Sequence, residues 1–455
     1  MASTEQNAMN RQGAQVGDVA EQFERRTVKT VFVRLMPLLM ICYVVAYLDR
    51  INVGFASLTM NKDIGLDTYH YGLGAGLFFW GYFLFEVPSN LLLERYGARR
   101  WIARILITWG LVSMATAFVT GQTAFLALRL ALGVAEAGFF PGVILYLTYW
   151  FTSGYRARII AAFMVAIPAS IAIGAPVSTA ILEMSQVAGL KGWQWLFLLE
   201  GAPALFMAFL VLAFLPDRPR DAEWLDEDQK QWLQETLERE RKAVQASHRM
   251  SLWRTFIDPR VLGLSFIYFA NITTNLGLAF FLPLMIRGMG VSTARTGMVT
   301  AIPYVVGTIG TLAWGYISDK LNERRISLFL TLTISGVGLA AAAFVGNTLG
   351  AVAWMSVAAI GIYGAKAPFW PLPSMFLTGT AAAGGIALIN SIGNLGGSLG
   401  PSLMGWIKDK TGSYNGGLYA LAAFGFAAAA VALIVVKSGS AGQKAASGNP
   451  VREAG

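Results

Sequence analysis

Apolar stretches of about 20 residues recur along this chain from about residue 32 to about residue 436, and no other feature restricts its fold so severely. A helix of about 20 residues crosses roughly 30 Å of hydrocarbon. Twelve such spans are predicted, at about 32–58, 70–93, 101–120, 123–152, 158–183, 195–214, 260–287, 293–317, 326–345, 349–377, 382–407 and 415–436. Most of the 16 prolines fall in or beside these spans. Proline would break a soluble helix, but in a membrane bundle neighbouring helices re-satisfy the freed carbonyls. Hydrophobic residues make up 55% of the 455 and charged residues 13%, more apolar surface than a soluble domain of this size needs. The fold class expected is therefore an all-α membrane protein with twelve transmembrane helices in two six-helix bundles.

The first span follows about thirty polar residues and has no small-residue cleavage site behind it, so it reads as a retained helix and not as a signal peptide. Cys42 is the single cysteine, and His70 and His248 are the only histidines. That inventory leaves nothing for an intramolecular disulfide or a thiolate metal site, and almost nothing for a histidine-based centre. No metal, no cofactor and no enzymatic activity are expected.

Most of the 35 Lys and Arg residues collect in alternate connections when both termini are placed in the cytoplasm. Six fall on the opposite side, and three, Arg50, Arg129 and Lys366, lie inside spans. This is the positive-inside pattern. The formal charge of +9 is thus a topology signal and not a nucleic-acid footprint. A multi-pass protein of the bacterial inner membrane is expected, in contact with the lipid bilayer, monomeric and without nucleic-acid partners.

The chain divides into a cytoplasmic arm (1–31), a first six-helix bundle (32–215), a linker (216–259), a second bundle (260–436) and a cytoplasmic tail (437–455). Trp224, Leu225, Trp232, Leu233 and Leu237 give the linker an amphipathic helix. It could lie on the membrane surface or serve as a solvated connector. An internal repeat supports the division. Glu94-Arg95-Tyr96-Gly97-Ala98-Arg99-Arg100 follows the second span, and Asp319-Lys320-Leu321-Asn322-Glu323-Arg324-Arg325 follows the eighth, 225 residues later. The fourth position of each copy tolerates left-handed backbone. Parallel six-helix repeats of this kind imply two bundles rocking about a central site. Glu94, Arg95, Asp319 and Arg324 are then candidates for a latch that holds helix ends in one state.

Charges inside a bilayer are expensive, so Asp49, Arg50, Glu86, Arg129, Glu136, Glu200 and Lys366 should face the bundle interior or a wet cavity and have partners. Arg50 and Arg129 carry planar forks suited to gripping a carboxylate. Arg129 and Glu136 share one helix face, about 10.5 Å apart along the axis. That leaves room for a substrate carboxylate at Arg129 while Glu136 takes a proton or pairs with a basic group on another helix. Adjacent residues on a helix do not face each other, so Asp49 need not be neutralised by Arg50.

The loop repeat resembles the signature of the major facilitator superfamily, with Asn90 and Glu94 departing from its usual Gly and Asp. More closely, the chain resembles the anion:cation symporter family of tartrate, hexonate and phthalate permeases. The resemblance rests on Tyr47-Leu48-Asp49-Arg50-Ile51-Asn52, Phe85-Glu86-Val87-Pro88-Ser89-Asn90, Arg129 to Gly142, Trp195 to Gly201, and Asn390-Ser391-Ile392-Gly393-Asn394-Leu395-Gly396-Gly397. It implies proton coupling at Asp49 and Glu136, anion binding at Arg50 and Arg129, and substrate contact at Tyr47, Tyr82, Trp370, Asn390 and Asn394. The implied partners are a small organic anion and protons, carried in symport by alternating access.

Lys366 is a departure that the resemblance does not demand. It shares a helix face with Trp370, four residues on. It either pairs with a buried Glu86 or Glu200, or it reads a second anionic group on the substrate, which favours a dicarboxylate such as phthalate or tartrate over a sugar acid such as a hexonate. A drug:proton antiporter would show Gly-Pro-x-x-Gly-Gly in the fifth span, where only Gly174-Ala175-Pro176 occurs. A non-transporting nutrient sensor on the same scaffold is the remaining alternative.

Overall fold

The computed structural model describes residues 2–164, 166–184, 187–246, 252–321, 323–346, 348–377 and 379–436. The tail expected at 437–455 and part of the linker, 247–251, lie outside these residues. The described residues are nearly all helical. The first half comprises α1 (Ala2–Asp63), α2 (Thr68–Tyr96), α3 (Ala98–Ala115), α4 (Gln122–Glu136), α5 (Phe139–Thr148), α6 (Ser153–Met164), α7 (Ala166–Leu182) and α8 (Gly192–Phe214). The linker holds α9 (Glu227–Ala246) and α10 (Leu252–Phe256). The second half comprises α11 (Pro259–Gly288), α12 (Thr293–Leu321), α13 (Arg324–Val345), α14 (Leu349–Gly364), α15 (Lys366–Phe369), α16 (Gly379–Thr411) and α17 (Asn415–Val435). Among the described residues, 11 helical stretches are long and apolar enough to cross a membrane. α16, 33 residues long, lies where the remaining span is expected. Within the arm expected at 1–31, α1 begins at Ala2 and runs on into the first span.

In the first half α3 packs on α8 and α4, α2 on α4, and α1 on α7 and α8; in the second, α11 packs on α16 and α17, and α13 on α14 and α17. The halves meet along two seams, α2 with α16 and α7 with α12, and α1 also touches α11. Both seams are tight where they lie nearest the face away from the linker. Gly72 of α2 sits against the Pro401 carbonyl, and Gly297 of α12 against the Ala175 carbonyl, with no room for a Cβ at either. The spacing of the loop repeat relates the two seams: Gly297 lies 225 residues after Gly72, and Pro401 lies 225 after Pro176, the neighbour of Ala175. The same face is closed further by the Tyr71 hydroxyl, which donates to the Phe280 carbonyl at 2.7 Å.

Two spans are broken, each beside a residue singled out above. The fourth is interrupted after Glu136, where Gly138 adopts φ +85 and the Ser89 hydroxyl occupies the place of its absent side chain. The tenth is interrupted after Gly364, in a segment crowded by Pro368, Pro371 and Pro373. Non-helical backbone at membrane depth is tolerated where it is buried in protein or lines a cavity.

On the linker side, α9 and the residues just before it lay their apolar side chains on protein. Leu225 and Leu233 are buried, Trp224 stacks on Trp150 at 5.6 Å, and Trp232 meets Phe23 of α1 edge-on at 6.2 Å. Glu240 accepts from the Ser153 backbone N–H at 2.9 Å, at the start of α6, and pairs with Arg156. A carboxylate beside orphan N–H groups at a helix N-terminus is stabilising.

Candidate functional site

Between the halves lies a cavity that, together with the solvent at its mouth, encloses about 630 Å³. The first half lines it with Tyr43, Tyr47 and Arg50 of α1, Phe78, Phe79 and Tyr82 of α2, Phe140 of α5, and Met164 and Ile167. The second half contributes Tyr268, Ile272 and Leu276 of α11, Lys366 of α15, and Asn390 and Asn394 of α16. Of the candidate substrate residues, Tyr47, Arg50, Tyr82, Lys366, Asn390 and Asn394 therefore share one wall or another of this space. Arg129 and Trp370 do not line it.

Arg50 forms an ion pair with Glu136. Glu136 is fully buried and Arg50 is 13% exposed. Glu136 is the last residue of α4, where the negative end of the helix dipole opposes a carboxylate. A cation brought from α1 offsets both that dipole and the burial. Three rings surround the guanidinium, Tyr47 and Phe78 at 5.2 Å and Tyr82 at 5.5 Å. Such cation–π contacts are worth about 0.5–2 kcal/mol each.

Arg129 lies behind this layer. The Phe78 ring, which lines the cavity, lies 5.3 Å from its guanidinium. Its Nε donates to the Gly74 carbonyl at 3.4 Å, and both terminal nitrogens are without hydrogen-bond partners. The spacing argument that set Arg129 and Glu136 on one face of a helix leaves out Arg50, which reaches Glu136 from another helix. Trp370 packs edge-on against Tyr268 at 5.0 Å and so stands behind a cavity-lining ring.

Asp49 turns away from its neighbour Arg50 and into the first half. Its carboxylate accepts from Trp109 Nε1 and Ser113 Oγ, each at 2.6 Å, and from Asn52 Nδ2 at 3.1 Å. It is fully buried and does not reach the cavity.

Lys366 follows directly on the C-terminus of α14, a position where a cation complements the helix dipole. Its Nζ lies 4.7 Å from the Tyr363 ring. Among the described residues it forms no ion pair. Neither Glu86 nor Glu200 serves as its partner: Glu86 accepts from Asn390 at 3.3 Å and Glu200 from Ser178 Oγ at 2.6 Å.

Glu94 is exposed and forms no ion pair among the described residues, while Arg95 stacks over Tyr96 at 5.6 Å. Arg324 opens α13; the side chain of Asp319 lies outside what is described, as does Asn322. The carboxylate at the first loop is instead that of Asp217, from the linker. It accepts from the Arg99 backbone N–H at 2.9 Å and lies against Gly97, whose φ is +88.

Several lining residues were not singled out from the sequence. Tyr43 lies one helical turn before Tyr47 and stacks on Phe163 at 4.5 Å. Tyr268 lies 225 residues after Tyr43, so the loop repeat carried a signal that relates these two rings across the cavity. For Phe79, Phe140 and Met164 no pattern in the sequence separates a cavity wall from ordinary packing.

The sequence profile described as Major Facilitator Superfamily matches residues 39–401 and, overlapping it, 264–453. A protein of Agrobacterium vitis provisionally named a tartrate transporter is 45% identical over 422 residues, covering 93% of this chain and 94% of its own. A quinolone resistance transporter of Acinetobacter baumannii is 42% identical, over 88% of this chain and 92% of its own. The Escherichia coli inner membrane transport protein RhmT is 38% identical, over 86% and 91%. Among solved structures, a bacterial homologue of the human lysosomal transporter Spinster, inward-facing and unoccupied, gives a TM-score of 0.71 at 18% identity over 90% of this chain and 97% of that one. The inward open xylose transporter XylE of E. coli gives 0.73 at 13% identity, over 90% and 98%. At these identities the two structures bear on the fold.

Proposed function

The chain belongs to the major facilitator superfamily, a family of transporters, and from that premise we propose that it imports a small organic dianion in symport with protons by alternating access. The observation that carries this reading is Lys366. A lysine at membrane depth costs about 2.5–3.5 kcal/mol on insertion scales, and this one lines the cavity with no carboxylate partner among the described residues. Arg50 faces the same space from the other half, already balanced by Glu136. A substrate with one carboxylate for each cation meets both, and tartrate, named for the 45% identical relative, is such a compound. Protons enter the scheme through Glu136, whose ion pair with Arg50 competes with a substrate carboxylate, and through Asp49. Arg129 supports this wall from behind Phe78. Placing the linker and both termini in the cytoplasm of a bacterial inner membrane follows the distribution of Lys and Arg.

The test is uptake of labelled tartrate and phthalate by proteoliposomes holding the purified protein, with an imposed pH gradient. Accumulation that follows the gradient supports symport of a dianion. Preference for a hexonate at equal gradient would replace the dianion with a monocarboxylate sugar acid. Absence of any flux with binding retained would make the protein a sensor. A second reading, export of aromatic compounds, is favoured by the ring-rich cavity wall and by the 42% identical quinolone resistance transporter. It expects proton-driven flux of a quinolone in the opposite direction and none of tartrate.

A further inference from the structure

Glu200 takes no part in the cavity, yet it is a carboxyl group 5% exposed on a membrane-spanning helix. Its Oε1 accepts from Ser178 Oγ at 2.6 Å; its Oε2 has no hydrogen-bond partner. No Lys or Arg pairs with it among the described residues. Asn52, one turn after Asp49 on α1, lies against both carboxyls. Its Nδ2 donates to Asp49, and its Oδ1 is a second acceptor left without a donor. The group therefore holds two carboxyls, only neutral donors (Trp109, Ser113, Ser178 and Asn52), and two orphan acceptors. One added proton supplies the missing donor and removes one of two like charges that cannot both be ionised cheaply at such a site.

We propose that Asp49, Asn52 and Glu200 form one two-carboxyl proton site within the first half, with Glu200 its member nearer the face away from the linker. The proposal rests on the proton-coupled reading above and adds to it a site outside the cavity. Geometry gives its direction. Asp63 at the end of α1 pairs with Lys191, just before the start of α8, at 2.9 Å, so these two helix ends are level. At 1.5 Å per residue, Glu200 lies about 12 Å from that end and Asp49 about 21 Å. A proton that leaves Glu200 Oε2 and settles on an Asp49 oxygen moves toward the bundle centre, and the charge of the pair is unchanged. Glu200 lies within electrostatic reach of Asp49, and Asp49 in turn of Glu136 and of the buried guanidinium of Arg129. The site thus adjoins the Arg50–Glu136 pair without opening into the cavity.

The test is infrared difference spectroscopy of the purified, reconstituted protein during pH titration, following the carbonyl stretch of protonated carboxylic acid, which disappears on ionisation. Glu200→Gln should remove one component of that band and shift the pH midpoint of the Asp49 component by about one unit or more, the mark of interacting sites. Asp49→Asn should shift the Glu200 component in turn, and Glu200→Asp, which keeps the acid, should retain a component with a displaced midpoint. A band and a pH course unchanged by Glu200→Gln would overturn the proposal, as would a component lost without any shift in Asp49. Gradient-driven uptake measured on the same vesicles separates the two readings. Coupled components with uptake indifferent to the gradient would leave the proton site standing and remove symport; gradient-driven uptake with uncoupled components would do the reverse.

Discussion

Arg50 and Lys366 face one cavity from opposite halves of the chain, the first paired with Glu136 and the second with no carboxylate among the described residues. The two cations are thus unequal before any substrate arrives. One can accept an anion only in competition with a protein carboxylate, the other without it.

Lys366→Gln should weaken binding of a dicarboxylate by about 2 kcal/mol or more, roughly thirtyfold, and leave a matched monocarboxylate nearly unaffected. Titration calorimetry with the two ligands on wild type and variant checks this. Equal losses on both would assign Lys366 to the break after α14 and not to the substrate.

Glu136→Gln should abolish accumulation driven by a pH gradient while counterflow of labelled substrate continues, because it removes the carboxylate that competes for Arg50. Asp49→Asn should do the same from outside the cavity. Uptake and counterflow assays in proteoliposomes distinguish loss of coupling from loss of binding, and full accumulation in both variants would take these carboxyls out of the mechanism.

At the loop after α2, Asp217→Ala should lower thermal stability by about 0.5–2 kcal/mol, the usual effect of losing a side-chain cap. Glu94→Ala should stay within about 0.5 kcal/mol, as for an exposed residue without a partner. Thermal unfolding of the two variants in detergent gives the comparison. The reverse order would restore Glu94 as the principal contact at this loop.

Asp258 caps α11 and accepts from Arg260, whose guanidinium holds the Asp258 carboxyl below its ordinary range. A carboxyl lowered on folding contributes stability that is complete above its unfolded pKa and lost as pH falls through the folded value. Unfolding scans from neutral to acid pH should therefore show a declining limb that is shallower in Asp258→Asn.

The membrane-spanning architecture was legible because hydrocarbon imposes a length and a polarity that no side chain can disguise. The breaks after Glu136 and Gly364 were not, since an interrupted span has the same composition as an intact one. Within the site, Asp49, Arg50 and Glu136 stood out as charges in apolar surroundings. A basic partner for Glu136 on another helix was one of two expectations, but its identity as Arg50 was not legible, because heptad spacing reports neighbours on one helix only. Asp217 was hidden for a similar reason: it caps Arg99 from 118 residues away, in a linker whose charges all look solvated. Tyr268 could have been found by extending the 225-residue repeat beyond the loop where it was first noticed.

Gly72→Ala and Gly297→Ala should each push the halves apart near the face away from the linker, since overpacking a tight contact costs about 1–3 kcal/mol. Cys42 is buried and is the single cysteine, so Leu276→Cys in the cavity wall provides a labelling site with little background. A membrane-impermeant thiol reagent applied from that face should label it several-fold faster in either glycine variant. Unchanged labelling in both would show that the seams do not govern access.

Those seams also set what reopening demands. Gly72 against the Pro401 carbonyl, and Gly297 against the Ala175 carbonyl and the Thr179 hydroxyl, bring the halves together with no charged group at either contact. Contacts of that sort draw on dispersion, about 0.1–0.2 kcal/mol for each pair of atoms. They are short in range and indifferent to salt, and parting them strands no ion in hydrocarbon. On this face, the Tyr71 hydrogen bond to the Phe280 carbonyl is the one directional contact beside two close-fitting surfaces, and it too carries no net charge.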